Sequence, residues 1–209
     1  MLFKHVLLTL LSVYLLMISS SSRADALFSE DPKAEEAVYL FSYHCLGCFM
    51  VHDHVALWAK VNKIKLRRIP VFTDNDQWEK GAMIYFILKQ YSVATKIPFY
   101  KFEKTGFAIT NKLELRLNDP DAIRVALENV GVALTPSVFE VYWSIADSMI
   151  LKSKQLLDEM QGEHLLSTPM FRLSIKGKVS WVLADETSDN PGLQLIHEVS
   201  TLLREGRQQ

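Results

Sequence analysis

The stretch from Val38 to Phe49, VYLFSYHCLGCF, decides the fold. Four of its first six residues are β-branched or aromatic, which predicts a buried strand over 38–43. The apolar spacing typical of a helix begins after that strand, so a strand-to-helix junction is expected at Cys45. Cys45 and Cys48 are the only two cysteines of the chain, and both lie at this junction.

Outward from this stretch, the pattern is that of an α/β protein. A helix over 45–62 precedes a second strand, Lys65–Thr73, and a helical crossover makes the two strands parallel. Strand signals nearly vanish over 76–165. After that, alternating apolar residues predict a β-hairpin within 171–184, and a final helix is expected from Pro191.

Helices are expected in most of the central region. Apolar spacing predicts one over Trp78–Tyr91. Two more are expected from Pro120 to Gly131 and from Pro136 to Gly162, because each has a proline at its start and a glycine at its end. The piece Pro98–Phe102 is ambiguous between strand and helix.

Composition excludes several classes of protein. The chain has 209 residues, 23 basic and 24 acidic side chains, and a net charge of -1. This balance gives no electrostatic basis for binding nucleic acid, so no such partner is expected. Two cysteines are too few for a small disulfide-stabilised scaffold.

The N-terminus has the pattern of a secretory signal peptide. Lys4 and His5 precede an apolar run, Val6–Ile18, which is followed by serines and by small residues near Ala26. Residues 1–26 are therefore expected to be a signal peptide that is cleaved after Ala26, leaving the protein outside the cytosol. An uncleaved membrane anchor is the alternative, although the run is short for a bilayer span.

The two cysteines are placed for redox chemistry. A thiolate at a helix N-terminus is stabilised by unpaired backbone N–H groups and by the helix dipole. Residues three apart share a helix face, so a Cys45–Cys48 disulfide can close easily. Cys45 is predicted to be the exposed nucleophile, and Cys48, one turn inward, the resolving thiol.

Two alternatives remain open for this pair. The disulfide could be purely structural, although a bridge across three residues constrains the unfolded chain little. A zinc or copper site is also conceivable, with ligands drawn from His44, Cys45, Cys48 and His52. Since no second cysteine pair completes a ligand set, neither a metal nor another cofactor is expected.

These features together resemble the DsbA family of periplasmic thiol–disulfide oxidoreductases. The resemblance rests on VYLFSYHCLGCF, the helix after it, the helical insert and a Thr-Pro pair before the hairpin. It implies a thioredoxin-like fold with an inserted helical domain. In that case residues 27–75 and 166–209 form the thioredoxin-like domain, and residues 76–165 form the helical insertion.

The resemblance also implies a substrate site and partners. Thr168-Pro169 matches the family's cis-proline, although an ordinary trans proline is the alternative. Leu46, Thr168, Pro169 and Met170 are then expected to form an apolar rim that receives unfolded, reduced exported proteins. A membrane redox partner is expected to recycle the disulfide of a monomeric, periplasmic enzyme.

The sequence departs from the family between the cysteines and at one position before them. Leu46-Gly47 stands where DsbA has Pro-His between the cysteines. Tyr39, six residues before Cys45, stands where the family often has a buried acidic residue. His44 and Tyr39 are left as candidate modulators of the Cys45 pKa, and a weaker oxidant than DsbA is expected. A metal-handling or non-catalytic binding module of thioredoxin fold is the alternative function.

Overall fold

The computed structural model describes residues 35–71, 76–112, 119–161, 168–185 and 188–208. The expected signal peptide lies outside these residues. In chain order the elements are β1 (Glu36–Phe41), α1 (Leu46–Asn62), β2 (Lys65–Pro70), α2 (Asp76–Thr95), α3 (Tyr100–Lys112), α4 (Pro120–Asn129), α5 (Pro136–Gln161), β3 (Met170–Ile175), β4 (Lys178–Leu183) and α6 (Pro191–Gln208). Within the described part of the chain, no helix is long and apolar enough to cross a membrane.

A four-stranded mixed sheet forms the centre of the fold, in the order β2-β1-β3-β4. Strand β1 pairs parallel with β2, as predicted, and antiparallel with β3. All six residues of β1 are buried, which explains why the sequence shows a continuous apolar run there rather than an alternation. The strand ends at Phe41, earlier than predicted, because the Cys45 N–H donates to the Ser42 carbonyl (3.1 Å) and turns the chain.

Within the described residues, four helices lie between β2 and β3 in the sequence. Helix α2 includes the predicted 78–91 segment and is longer. Helix α4 begins as predicted, with the Asp119 side chain accepting a hydrogen bond from the Ala122 N–H (2.7 Å). The ambiguous piece 98–102 leads into helix α3. Gly106 in the middle of α3 lowers helix propensity, which weakened its signal in the sequence.

The C-terminal elements agree with the sequence analysis. Strands β3 and β4 form the predicted hairpin, and its two turn residues, Lys176 and Gly177, have positive φ angles of 50° and 82°. Two consecutive residues with left-handed backbone conformation form a two-residue hairpin turn, and the twist of this turn matches the twist of the flanking strands. Asn190 caps α6, since its side chain accepts a hydrogen bond from the Leu193 N–H (3.1 Å).

Helix α3 packs directly against the turn that leads to the cysteines. The Thr110 hydroxyl donates to the Tyr43 carbonyl at 2.7 Å, and the rings of Tyr43 and Phe107 meet edge to face at 4.8 Å. The Tyr43 ring lies against the α3 backbone at Gly106, where a Cβ would overlap it. A helix of the central block therefore supports the turn before Cys45.

We expect Gly106→Ala to destabilise the protein. The new methyl group has no space beside the buried Tyr43 ring, because its carbon would lie well within van der Waals distance of Tyr43 Cζ. An overlap this severe should cost about 3 kcal/mol, the upper end of the usual range for overpacking, which exceeds the roughly 1 kcal/mol gained in helix propensity. Urea unfolding measures the difference. Lys101→Ala, at an exposed position of the same helix, is the control and should stay within about 0.5 kcal/mol of the native protein. A Gly106→Ala protein as stable as the native one would contradict this packing.

Candidate active site

Cys45 and Cys48 form a disulfide at the N-terminus of α1, with their Cα atoms 5.1 Å apart. Cys45 is the N-cap residue, and its backbone is extended. Its Sγ accepts a hydrogen bond from the Cys48 N–H at 3.0 Å. Because this N–H and the helix dipole both favour negative charge, the same position stabilises a thiolate at Cys45 after reduction.

The two sulfurs differ in accessibility. Cys48 is completely buried, whereas Cys45 is partly exposed. A substrate thiol can therefore approach Cys45 but not Cys48. This difference supports the prediction that Cys45 is the nucleophile and Cys48 the resolving thiol.

The Thr168–Pro169 peptide lies against the disulfide and is cis, so the trans alternative does not hold. The Thr168 carbonyl oxygen is 3.6 Å from the Cys45 Sγ, across a sequence separation of 123 residues. Pro169 also lies close to the residue between the cysteines, since a Cβ at Gly47 would be 3.4 Å from Pro169 Cδ, an ordinary contact distance. The fold thus brings the predicted proline and the predicted cysteines into one site.

The apolar rim differs in part from the predicted one. Leu46 is 66% exposed beside Cys45, and Thr168 is partly accessible. Met170 does not lie on the rim, because it pairs with Leu40 inside the sheet and its side chain is fully buried. Pro169 is buried as well, so it contributes little to an exposed rim.

Two exposed residues near Cys45 were missed by the sequence analysis. Phe49 and Met50 are 44% and 62% exposed in the first turns of α1. Met50 follows Leu46 by four residues and so shares its helix face. This spacing could have identified Met50 from the sequence.

Neither predicted modulator of the Cys45 pKa carries a charge at neutral pH. Burial lowers the pKa of His44 below its ordinary value, and a hydrogen bond with the Gln77 backbone opposes only part of that shift. Burial raises the pKa of Tyr39 far above its ordinary value. The Tyr39 hydroxyl donates to the Cys48 carbonyl at 3.5 Å and so supports the helix without adding charge near the sulfur.

The lowered pKa of His44 predicts a loss of stability in acid. The unfolded chain takes up a proton at this residue near pH 6.5, before the folded protein does. The stability that neutral His44 contributes to the folded protein is therefore fully present above pH 6.5 and is lost as the pH falls toward the folded-state pKa. We expect His44→Gln to reduce the drop in urea midpoint between pH 7.5 and pH 5, and the exposed His54→Gln to leave it unchanged. An equal drop in native and His44→Gln proteins would contradict this linkage.

A buried charged cluster lies behind the disulfide and was missed by the sequence analysis. His52 Nε2 on α1 is 3.0 Å from Glu103 Oε2 on α3, and the second Glu103 oxygen pairs with Arg68 Nη1 of β2 at 2.8 Å. His52 and Glu103 are 3% and 4% exposed. The sequence singled out His52 only as a possible metal ligand, and α3, which carries Glu103, was not predicted.

The metal alternative is not supported by this arrangement. Among the described residues, no three His, Cys, Asp or Glu side chains are gathered as a metal site. His52 is engaged with Glu103, and the ring of His44 lies beside Gly81 of α2. Both cysteines are in the disulfide.

The sequence matches no protein-family model and no curated protein, but the structure has clear neighbours among solved structures. DsbA from Xylella fastidiosa aligns with a TM-score of 0.65 and 16% identity over 88% of this chain and 91% of that one. The oxidoreductase NmDsbA1 from N. meningitidis gives 0.59 and 17%, covering 87% and 90%. The chain has the fold of DsbA.

A third neighbour is DsbA from Proteus mirabilis, solved with a non-covalently bound peptide, PWATCDS. It has a TM-score of 0.51 and 15% identity, and the alignment covers 82% of this chain and 90% of that one. At these identities the DsbA likeness establishes the thioredoxin fold with its additional helices. Combined with the Cys45–Cys48 disulfide, the likeness supports a thiol–disulfide oxidoreductase.

Proposed function

We propose that this protein is a thiol–disulfide oxidoreductase that passes its Cys45–Cys48 disulfide to exported proteins. One observation carries the proposal. The Cys45 sulfur is partly exposed at a helix N-terminus and is bonded to the fully buried Cys48 sulfur. It lies 3.6 Å from the Thr168 carbonyl oxygen, and the peptide bond between Thr168 and Pro169 is cis. This arrangement exposes one sulfur to attack and buries the other.

The exchange proceeds in two steps. A substrate thiolate attacks Cys45 Sγ, the Cys45–Cys48 bond breaks, and its electron pair stays on the Cys48 sulfur. A second substrate thiolate then attacks the substrate sulfur of the mixed disulfide, and Cys45 leaves as a thiolate. The substrate gains a disulfide, losing two electrons and two protons in all, and the protein ends as a dithiol that a membrane redox partner reoxidises.

The surroundings of Cys45 suit an extended, unfolded substrate. Leu46 and Met50 offer exposed apolar surface, and the Thr168 carbonyl oxygen lies 3.6 Å from the Cys45 sulfur. The Proteus mirabilis DsbA complex, whose bound peptide contains a cysteine, supports this class of ligand. The enzyme is proposed to act on such substrates as a monomer.

The proposed location follows from the N-terminal pattern and the DsbA likeness. We infer that residues 1–26 direct export to the periplasm, and that residues 27–75 with 166–209 form the thioredoxin-like domain around an insertion at 76–165. Intact-mass measurement of the exported protein tests this. A chain that begins near Leu27 is expected, and retention of Met1 would contradict it.

The function is tested by mixing the oxidised protein with a reduced, unfolded protein that contains several cysteines. We expect disulfides to appear in the substrate while Cys45 and Cys48 become alkylatable in equal amount. Thiol labelling followed by mass spectrometry measures both changes. No transfer above that of the Cys45→Ser/Cys48→Ser double variant would overturn the proposal.

A further inference from the structure

We propose that His52 gives a proton to, and takes a proton from, the Cys48 sulfur during exchange, and that Glu103 holds the His52 ring in position for this. This inference rests on the proposed function and deepens it, because it assigns a proton-transfer residue to the buried half of the disulfide.

The buried sulfur needs such a partner. When a substrate thiolate attacks Cys45, the Cys48 sulfur leaves with the electron pair of the broken bond. Cys48 is completely buried, and an uncompensated charge in an apolar interior is costly. A proton delivered to this sulfur removes the charge and also prevents Cys48 from attacking Cys45 again.

Among the described residues, other polar groups in this part of the core are engaged elsewhere. The Tyr39 hydroxyl donates to the Cys48 backbone carbonyl rather than to its sulfur. Arg68 is paired with Glu103, and the Tyr85 hydroxyl donates to the Arg68 carbonyl at 3.0 Å. His52 lies one helical turn after Cys48 on the buried side of α1.

The direction of the His52 side chain is favourable. Side chains on an α-helix lean toward its N-terminus, so the ring at position 52 covers the turn that contains Cys48. The ring is 3% exposed and packs edge to face on Phe107 at 5.2 Å. Water cannot easily replace it as the proton source for a sulfur buried this deeply.

The hydrogen bonds of the ring leave its other nitrogen available. Nε2 lies 3.0 Å from the Glu103 carboxylate, which accepts only, so Nε2 carries the hydrogen and Nδ1 is the basic nitrogen. Nδ1 is buried and has no hydrogen-bond partner among the described residues. A disulfide has no S–H to donate. Reduction creates one at Cys48, so the unpartnered nitrogen gains its partner only in the dithiol state.

Charged and titratable groups of the described residues surround the ring. Glu103 contacts Nε2, and Arg68 pairs with the other Glu103 oxygen. Asp53, the next residue of α1, also interacts electrostatically with His52 and forms an exposed ion pair with Lys104. Burial raises the pKa values of Tyr43, which follows β1, and Tyr85 of α2, so their hydroxyls are neutral at physiological pH.

Protons and electrons balance in both directions. In substrate oxidation, a proton on His52 Nδ1 moves to the Cys48 sulfur as the Cys45–Cys48 bond breaks, and the imidazolium becomes neutral. In the reverse step, Cys48 gives its proton to Nδ1 as its sulfur attacks the mixed disulfide at Cys45. Re-formation of the Cys45–Cys48 disulfide therefore returns the proton to His52, and no proton from solvent is needed at this site.

The test is the rate at which Cys48 resolves a mixed disulfide between Cys45 and glutathione, followed against pH. We expect His52→Gln, which keeps a side-chain N–H for Glu103, to slow this step by about a hundredfold at pH 7. The pH profile should move toward that of an unassisted thiol. His54→Gln, at an exposed position of the same helix, should leave both rate and profile unchanged.

Two outcomes would overturn the inference. If the native protein resolves the mixed disulfide and His52→Gln matches its rate and pH profile, His52 has no role in proton transfer, although the proposed function stands. If the native protein does not resolve it at all, both fall.

A measurement on the native protein covers the case in which His52→Gln does not fold. The ¹⁵N resonance of His52 Nδ1 is compared in the oxidised and reduced protein. It should shift on reduction while that of His54 does not. An unchanged His52 resonance would also overturn the inference.

Discussion

The Cys48→Ser variant is expected to accumulate mixed disulfides with proteins that contain disulfides, whereas Cys45→Ser is expected to lose all turnover. In Cys48→Ser, the Cys45 thiolate attacks a substrate disulfide, and one substrate sulfur leaves as a thiolate. Cys45 is the accessible sulfur, so its removal leaves nothing for a substrate to bond. Cys48 is completely buried, so its removal leaves the first bond possible but removes the thiol that releases it. Non-reducing gels of each variant mixed with a cell extract whose proteins carry disulfides, followed by mass spectrometry, measure the adducts.

The double variant, Cys45→Ser/Cys48→Ser, sets the background for this experiment. Adducts of Cys48→Ser must be released by dithiothreitol and must map to Cys45. A Cys48→Ser protein that traps nothing while Cys45 remains alkylatable would show that the exposed sulfur does not exchange with proteins.

The second large effect is expected from placing a hydrogen-bond donor between the cysteines. The helix N-terminus at Cys45 is present, but Leu46 and Gly47 offer no side-chain donor, and burial lowers the pKa of His44 so that it is neutral at pH 7. The double substitution Leu46→Pro/Gly47→His should therefore lower the Cys45 pKa. Each tenfold gain in thiolate stabilisation, about 1.4 kcal/mol, should move the couple by roughly 30 mV toward oxidising.

The structure accommodates this change. Position 46 is the first residue of α1, where proline is well tolerated, and a β-carbon at position 47 would make an ordinary contact with Pro169. Thiolate absorbance against pH measures the Cys45 pKa in both proteins. Leu46→Ala is the control and should leave that pKa unchanged. A variant whose Cys45 pKa is not lowered would contradict the electrostatic explanation.

The redox pair and its setting could be predicted because their signals are local. A continuous apolar run identified β1, and the change to helical spacing at Cys45 placed both cysteines at a helix N-terminus. Pro169 was found through a family resemblance rather than through spacing, since only the folded chain brings it against Cys45. The prediction that Met170 lies on the apolar rim was wrong. Met170 pairs with Leu40 of β1 at the start of β3, and this pairing, which the local sequence does not specify, buries it.

The buried cluster behind the disulfide could not be predicted in the same way. His52 and Glu103 are 51 residues apart and lie on different helices, and Arg68 comes from β2. Their meeting depends on how α3 packs against α1, which no local pattern specifies. A histidine one turn after Cys48 was visible in the sequence, but its burial was not, and its partner was on the helix that the sequence did not indicate.

The central claim is that the Cys45–Cys48 disulfide is an exchangeable redox couple, and equilibration of the native protein in glutathione buffers tests it most directly. Alkylation and mass spectrometry give the fraction of oxidised protein at each buffer potential. We predict a reversible two-electron transition between the values of thioredoxin, about -270 mV, and DsbA, about -120 mV. A pair that stays oxidised in every buffer, as a structural disulfide with a potential below about -300 mV does, would contradict the claim.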